Sequence, residues 1–381
     1  MKPRTIQISQ PVMGEEEWLA CRGPIESGWL TSGPQVQAFE QLFAELHQVP
    51  HAIAVTSATT ALHLACVALG VGPGDEVIVP AFTWVSTANV VLYCGARPVF
   101  ADIDPVTFNL NPEDVKKRLS PRTKAIMAVH LFGLCADMDA LREVAGSVPI
   151  IEDAACAAGA SYKGRMAGGL GVVGCFSFHP RKSVTTGEGG MCTTSDSELA
   201  ERIRSLRNHG ASISEEQRHK GPRPYILPEF NILGYNYRMT DLQAAVGLVQ
   251  LKKMHSFIQE RKRWAEYYFR ELSEVPWLRL PHVPEDYGHG WQSYVTTVLP
   301  DQAPMPRNDL MEYLQQRGIS TRPGTHAVHM LAYYREKLGL QPEDYPGARF
   351  ANDHSMAIPL HNRMTAEDFE YIVHTLRNIT A

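Results

Sequence analysis

Short apolar runs alternate with helix-patterned stretches from residue 51 to about residue 245, and this order most limits the fold. Strand-like runs stand at 51–56 (HAIAVT), 76–79, 98–101 (PVFA), 125–130, 149–151, 174–178 and 191–194. Between them lie helical stretches at 60–69, 88–93, 112–119 and 139–145. Gly70 stops the first of these as a residue just past the helix end, and Pro112 opens the third. Strands that alternate with helices pair in parallel, because each crossover returns the chain to the same edge. The expectation is an α/β fold with a mostly parallel, doubly wound sheet, whose ligands sit beyond the C-terminal strand ends.

After Asn236 the pattern changes. Residues 240–272 contain no proline and one glycine, Gly247, and predict one long helix or two joined helices. A strand at 293–299 and helices at 308–317 and 366–377 follow. Thr365 with Asp368 is placed as a capping box for the last helix. This divides the chain into an N-terminal arm plus large domain, 1–245, and a smaller α+β domain, 246–381. The basic, proline-broken stretch 217–228 (QRHKGPRPYILP) is expected to be an exposed loop.

The net charge of −5 gives no general attraction to nucleic acid or anionic membrane. No apolar run approaches the ~20 residues that span a bilayer, and MKPRTIQISQ at the start lacks a signal-peptide core. The seven cysteines, at 21, 66, 94, 135, 156, 175 and 192, form no C-x-x-C pair. They are expected to be reduced thiols of a cytoplasmic protein.

Three stretches carry chemistry. Lys182 lies in FSFHPRKSVTTGEGG (176–190), an apolar strand running into a Gly/Thr-rich turn. A lysine there is ordinarily a surface cation, as Arg181 and Lys163 are expected to be. Asp153 ends the apolar strand before it; alone it would serve as a helix cap, while Glu152 would point the other way into a structural salt bridge. Residues 57–60 (SATT) follow the first strand and open a helix. They are either a plain N-cap or a phosphate cradle of amides, hydroxyls and helix dipole. A lysine, a carboxylate and a phosphate cradle together are what pyridoxal 5'-phosphate (PLP) needs from a protein. Ser177 adds a candidate phosphate hydroxyl, and Trp84 a ring to stack on the pyridine. His326 and His329 would suit one helix face, but no metal motif joins them. There is no GxGxxG before a suitable helix and no GxxxxGK[ST], so nothing points to NAD or ATP.

In order along the chain come ESGWLTSGPQVQAFE (26–40), GPGDEVIVPAFTWVSTANV (72–90), PVFADIDPVTFNLNPEDV (98–115), IIEDAACAAGA (150–160), CFSFHPRKSVTTGEGGM (175–191), RNHG (207–210), GYNYRMTDLQAAVG (234–247) and IPLHNRMTAEDFEYIV (358–373). In these stretches the chain resembles the DegT/DnrJ/EryC1/StrS family of PLP-dependent aminotransferases. The resemblance implies fold type I, like aspartate aminotransferase, with a large domain and a small C-terminal α+β domain. It implies that Lys182 is the Schiff-base lysine and Asp153 the partner of the pyridinium. Trp84 matches the stacking aromatic, Ala58 and Thr59 the phosphate loop, and Ser177 the phosphate hydroxyl. Asn236 matches an asparagine reaching the phosphate from the other subunit, which implies a homodimer with active sites at the subunit interface. Residues 28–31 and the loop 322–329 lie where the family admits a sugar nucleotide, and Arg238 and Arg322 are candidates for the donor carboxylate or the diphosphate.

Two positions depart from the family. It usually has glycine where this chain has Ala58, and Gln or His, bonding the cofactor near its phenolic oxygen, where this chain has Cys156. The RPGTHAVH loop is also unlike its commoner forms. The implied reaction moves an amino group from an amino acid, L-glutamate, through pyridoxamine 5'-phosphate (PMP), to a ketone of a nucleotide-linked deoxysugar. Alternatives are a non-sugar ketone, such as a cyclitol or antibiotic precursor, or a PLP-dependent sugar dehydratase. Relatives of the last kind replace the lysine by histidine, and Lys182 argues against it.

Overall fold

The computed structural model describes residues 5–213, 225 and 227–379. A seven-stranded sheet forms the centre, in the order His51–Val55, Gly190–Thr194, Val173–Ser177, Ile150–Asp153, Thr123–Val129, Glu76–Pro80, Arg97–Ala101. The last five pair in parallel. Gly190–Thr194 runs antiparallel to both its neighbours. The link 178–189 that leads into it contains no helix, so the chain returns directly and must run back antiparallel. That link carries Lys182.

Alternate residues of the sheet face two cores, as expected when helices cover both sides. Ile53, Val77, Val79, Met127, Ile151 and Cys175 pack on the helices Ala58–Ala68, Ser86–Tyr93 and Ser197–Arg207. Ala54, Ile78, Ile126, Ala128, Ile150 and Phe176 pack on Pro34–His47, Met138–Ala145 and the start of Asp241–Leu272. The first of these helices begins earlier than the apolar pattern suggests. Ser57 caps it, its side chain accepting from Thr60 N at 3.2 Å.

Residues 240–272 form one unbroken helix, Asp241–Leu272, capped by Thr240. Its first half, through Met254 and Phe257, packs on the second of those cores. Its second half, with Ala265, Tyr268 and Leu272, belongs to a third core. That core covers an antiparallel sheet of Leu278–Arg279, Tyr294–Val298 and Ser355–Ile358 with the helices Arg307–Gln316 and Ala366–Arg377. The N-terminal arm reaches it too: Ile6 is buried there and bridges Ile319. We keep the division at 245/246 as a proposal; it falls inside the long helix. Of the 217–228 loop, residues 217–224 and 226 lie outside the described residues, and Tyr225 and Leu227 are exposed.

The strand His326–Ala327 pairs antiparallel with Phe82–Thr83 and so brings the C-terminal part of the chain against the sheet's C-terminal edge. His326 therefore lies on a strand, and His329 in the following 3-10 turn, where its Nε2 meets Pro342 O at 3.2 Å. The expectation that they share a helix face is corrected: His326 is exposed and His329 buried. Among the described residues, no group of three or more His, Cys, Asp or Glu is placed to hold a metal ion, and no helix is long and apolar enough to cross a membrane.

Candidate active site

The strand Ile150–Asp153 ends in two carboxylates that the pleat turns to opposite faces. Glu152, fully buried, accepts from Gly168 N at 2.7 Å, Leu170 N at 2.8 Å and Gly171 N at 2.5 Å. It also pairs with His130 Nε2 at 2.9 Å. Ala136 N donates to His130 Nδ1 at 3.1 Å, which puts the histidine proton on Nε2, facing Glu152. Burial alone would raise the Glu152 pKa; the His130 contact and the amides outweigh it and hold it below the ordinary value. This is the structural tie expected of Glu152.

Asp153 has fewer donors. Thr87 Oγ1 donates to its Oδ2 at 2.8 Å and Ala155 N to its Oδ1 at 3.2 Å. It is 4% exposed, and burial raises its pKa despite Thr87, Ala155 and the positive charge of Lys182. A carboxylate that is buried with few donors is short of a positive partner.

Lys182 sits in a tight, internally bonded link. Phe178 N donates to Gly189 O at 2.9 Å, Thr186 N to Phe178 O at 3.0 Å, and Lys182 N to His179 O at 2.8 Å. The side chain returns toward the strand ends, where Nζ donates to Cys156 Sγ at 3.1 Å. Lys182, Cys156 and Asp153 are thus gathered at one edge of the sheet.

The sheet register supplies the next group. Val55 pairs with Gly190 and Gly190 with Ser177, so the turn after Val55 lies two strands from Ser177. Ser57 keeps Thr60 N for itself. Ala58 and Thr59 occupy the first turn of the helix, where amides lack intrahelical partners. Gly190 fits closely beneath this turn. A Cβ there would collide with the Ser57 carbonyl and lie 2.7 Å from Ala58 N. Ala58 is itself helical, so its methyl costs no left-handed strain where the family has glycine. Ser177 is buried and accepts weakly from His179 N, at 3.4 Å, through its hydroxyl.

Trp84 stands 52% exposed at the mouth, its ring 5.6 Å from that of His326. Asn236 lies apart. It is exposed, bridges Asn208, and among the described residues no hydrogen bond joins it to Lys182, Asp153 or Ser177. Arg238 Nη1 donates to Asn208 Oδ1 at 2.8 Å, and Arg322 bridges Ala357. Gly28 ends a helical turn at φ +73°, and the carbonyls of Leu30 and Thr31 accept from Asp241 N. Thr87 and His130 were not singled out from sequence. Thr87 lies in the first turn of a helix just after Trp84 and His130 follows a strand, but only the fold shows which carboxylate each meets.

The donor set suits PLP: an amine, a buried carboxylate whose pKa burial raises, and amides plus a hydroxyl for a phosphate. The comparisons agree. The family model of the DegT/DnrJ/EryC1/StrS aminotransferase family matches residues 11–377. The spore coat polysaccharide biosynthesis protein SpsC of Bacillus subtilis is 40% identical, over 98% of this chain and 97% of its own. The aminotransferase TlmJ from Streptoalloteichus hindustanus superposes with TM-score 0.89 at 34% identity, covering 98% of both chains. Spr1654 from Streptococcus pneumoniae in its PMP form gives TM-score 0.90 at 30% identity, over 98% of this chain and 96% of its own, and a PLP form gives 0.89. An α/β chain with this site and these relatives is a PLP-dependent aminotransferase of fold type I, and it belongs to the DegT/DnrJ/EryC1/StrS aminotransferase family.

Proposed function

We propose that this enzyme transfers an amino group from L-glutamate to a ketone on a nucleotide-linked deoxysugar. The observation that carries the chemistry is the Lys182 amine beside Cys156 at the sheet edge that ends in Asp153. The polysaccharide-biosynthesis role in the name of SpsC supports a sugar acceptor.

When bound, PLP supplies an electron sink that stabilises negative charge on the carbon bearing the amino group. Lys182 would hold the cofactor through Nζ, and the same amine, when free, would move a proton to and from that carbon. Asp153 holds a proton at the ring nitrogen. Its burial outweighs the pull of the Lys182 charge and prepares it for a further positive group at that nitrogen. Thr87 and Ala155 keep the carboxylate aimed. The amides of Ala58 and Thr59 and the hydroxyl of Ser177 hold the phosphate at the helix start. Trp84 covers the ring, and Cys156 lies beside the lysine in place of the longer side chain usual in the family. Arg238 and Arg322 are proposed to meet the donor carboxylate or the sugar diphosphate.

We further propose a cytoplasmic homodimer in which Asn236 completes the partner's phosphate site. Asn236 faces outward in the single chain, and nearby Phe230 and Leu233 are exposed apolar side chains that a second copy would cover.

The test is the absorbance spectrum of the purified protein before and after L-glutamate, followed by keto-sugar nucleotides with mass detection of the aminated product. A visible band replaced by a near-ultraviolet one supports the donor half-reaction, and an aminated sugar nucleotide supports the acceptor. A glutamate response with turnover only on non-sugar ketones would overturn the sugar reading. Loss of the sugar hydroxyl without amine gain would identify a dehydratase.

A further inference from the structure

The turn that carries Lys182 is gripped from both sides. Gln292 Nε2 donates to Arg181 O at 3.0 Å, one residue before the lysine. Ser183 Oγ, one residue after it, donates to Gly290 O at 3.5 Å. Residues 290–292 come from the C-terminal part of the chain, and Trp291 between them is buried in the third core.

The gripping turn is itself fixed. Gly290 N donates to Gly133 O at 2.8 Å and Ser293 N to Phe132 O at 3.3 Å. The approach is close: a Cβ on Gly133, which has φ +107°, would lie 2.9 Å from Trp291 N. Trp291 holds φ +46°, a left-handed value that a bulky residue keeps only when its surroundings enforce it. Its N–H donates to His289 Nδ1 at 2.8 Å, and the two rings stack at 3.9 Å.

Arg261 holds the turn from the other side. It is 3% exposed on the long helix and donates through Nη1 to Trp291 O at 3.1 Å and Gln292 O at 3.3 Å. Its Nε donates to Asn362 Oδ1 at 2.7 Å, and Asn362 Nδ2 donates back to Phe257 O at 2.9 Å on the same helix. Burial brings the guanidinium pKa down to about 10, so it remains charged at neutral pH.

We propose that Gln292 is a positioning residue for Lys182 and that Arg261 locks the turn bearing Gln292. The third core thereby sets where the lysine amine points. This rests on the assignment of Lys182 as the residue that takes the cofactor.

The experiment adds PLP to the cofactor-free protein, fixes the linkage with borohydride at timed intervals, and follows the mass gain of the intact chain. Gln292→Leu and Gln292→Glu, which lack the donor, are expected to slow attachment about ten-fold, the scale of one misplaced hydrogen bond. Their melting temperatures stay near that of the wild type, and kcat falls while the donor KM does not move. Gln292→Arg, which restores a donor with reach and adds no second amine, recovers most of the rate. Wild-type attachment in Gln292→Leu, or slowing only in step with a lower melting temperature, overturns the proposal. Should Gln292→Leu not fold, Gln292→Glu against Gln292→Arg makes the same comparison. Lys182→Ala runs alongside: attachment at the wild-type rate in that variant overturns the lysine assignment itself, whatever the Gln292 variants do.

Discussion

Lys182 Nζ lies 3.1 Å from Cys156 Sγ, so a small, half-exposed thiol stands beside the amine that is proposed to take the cofactor. A bulky group on that sulfur would occupy the space the amine needs. Alkylation of the cofactor-free protein with N-ethylmaleimide is expected to abolish PLP attachment. Preloading with PLP is expected to protect Cys156 in peptide mapping, while half-exposed Cys21 reacts in both cases. Cys156→Ser should attach PLP at close to the wild-type rate and resist the reagent. A fully alkylated Cys156 with unchanged attachment would show that the two side chains do not share the site.

The two strand-end carboxylates should respond to pH in opposite senses. Asp153 has a folded-state pKa raised above its ordinary 3.8. Folding then favours its protonated form, so the ionised group costs stability above that window, and the cost fades as pH falls through it. Asp153→Asn removes the cost and keeps the oxygen that accepts from Thr87. The cofactor-free variant is therefore expected to melt higher than the cofactor-free wild type at pH 7, with the gap closing toward pH 4. The same variant should bind PLP yet turn over about 10²–10³-fold more slowly, the usual scale for losing an aimed electrostatic partner. Calorimetry at the two pH values, beside steady-state rates, checks both halves. A lower melting point at pH 7 would sink the account of Asp153 as a buried group awaiting a cation.

Gly190 is where the phosphate turn and the sheet come closest. A methyl there would strike the Ser57 carbonyl and press on Ala58 N. Overpacking of this kind costs about 1–3 kcal/mol, so if the turn yields rather than the strand, PLP affinity should fall by about 10-fold or more in Gly190→Ala. Gly72→Ala, with nothing within 4 Å of the added carbon, is the matched control and should leave affinity unchanged. Ala58→Gly should also bind as the wild type does, because Ala58 already has helical backbone geometry. Equilibrium titration of PLP fluorescence quenching separates these outcomes.

Alternation of apolar runs was enough to place most strands of the sheet, because each carries several buried residues in a row. It could not show that Gly190–Thr194 runs against its neighbours. That depends on the link 178–189 lacking a helix, and the same link had to be recognised as the carrier of Lys182. Asp153 and Glu152 were legible as a pair with opposite directions, since the pleat alone requires it. Their partners were not: Thr87 is 66 residues from Asp153, and the glycine-rich segment 168–171 gives no local sign that its amides serve Glu152. Ile6 in the third core and His326–Ala327 on Phe82–Thr83 were equally hidden, because two-residue contacts leave no periodicity to detect.

Asn236 gives the sharpest test of shared sites. Within one chain it is exposed and bonded to neither Lys182 nor Ser177 among the described residues. If it serves the partner, Lys182→Ala and Asn236→Ala damage different halves of each site. Mixing the two variants after reversible dissociation would then build heterodimers with one intact site and one doubly broken site. Random exchange between equal amounts makes about half the dimers mixed, so activity should recover to about a quarter of wild type in a two-fold dimer. Each variant alone stays near its own low rate, and the mixture measured before exchange stays low as well. Recovery that follows the time course of subunit exchange would assign Asn236 to the neighbouring site. If fully exchanged samples show no gain over the average of the two variants, Asn236 acts within its own chain or not at all.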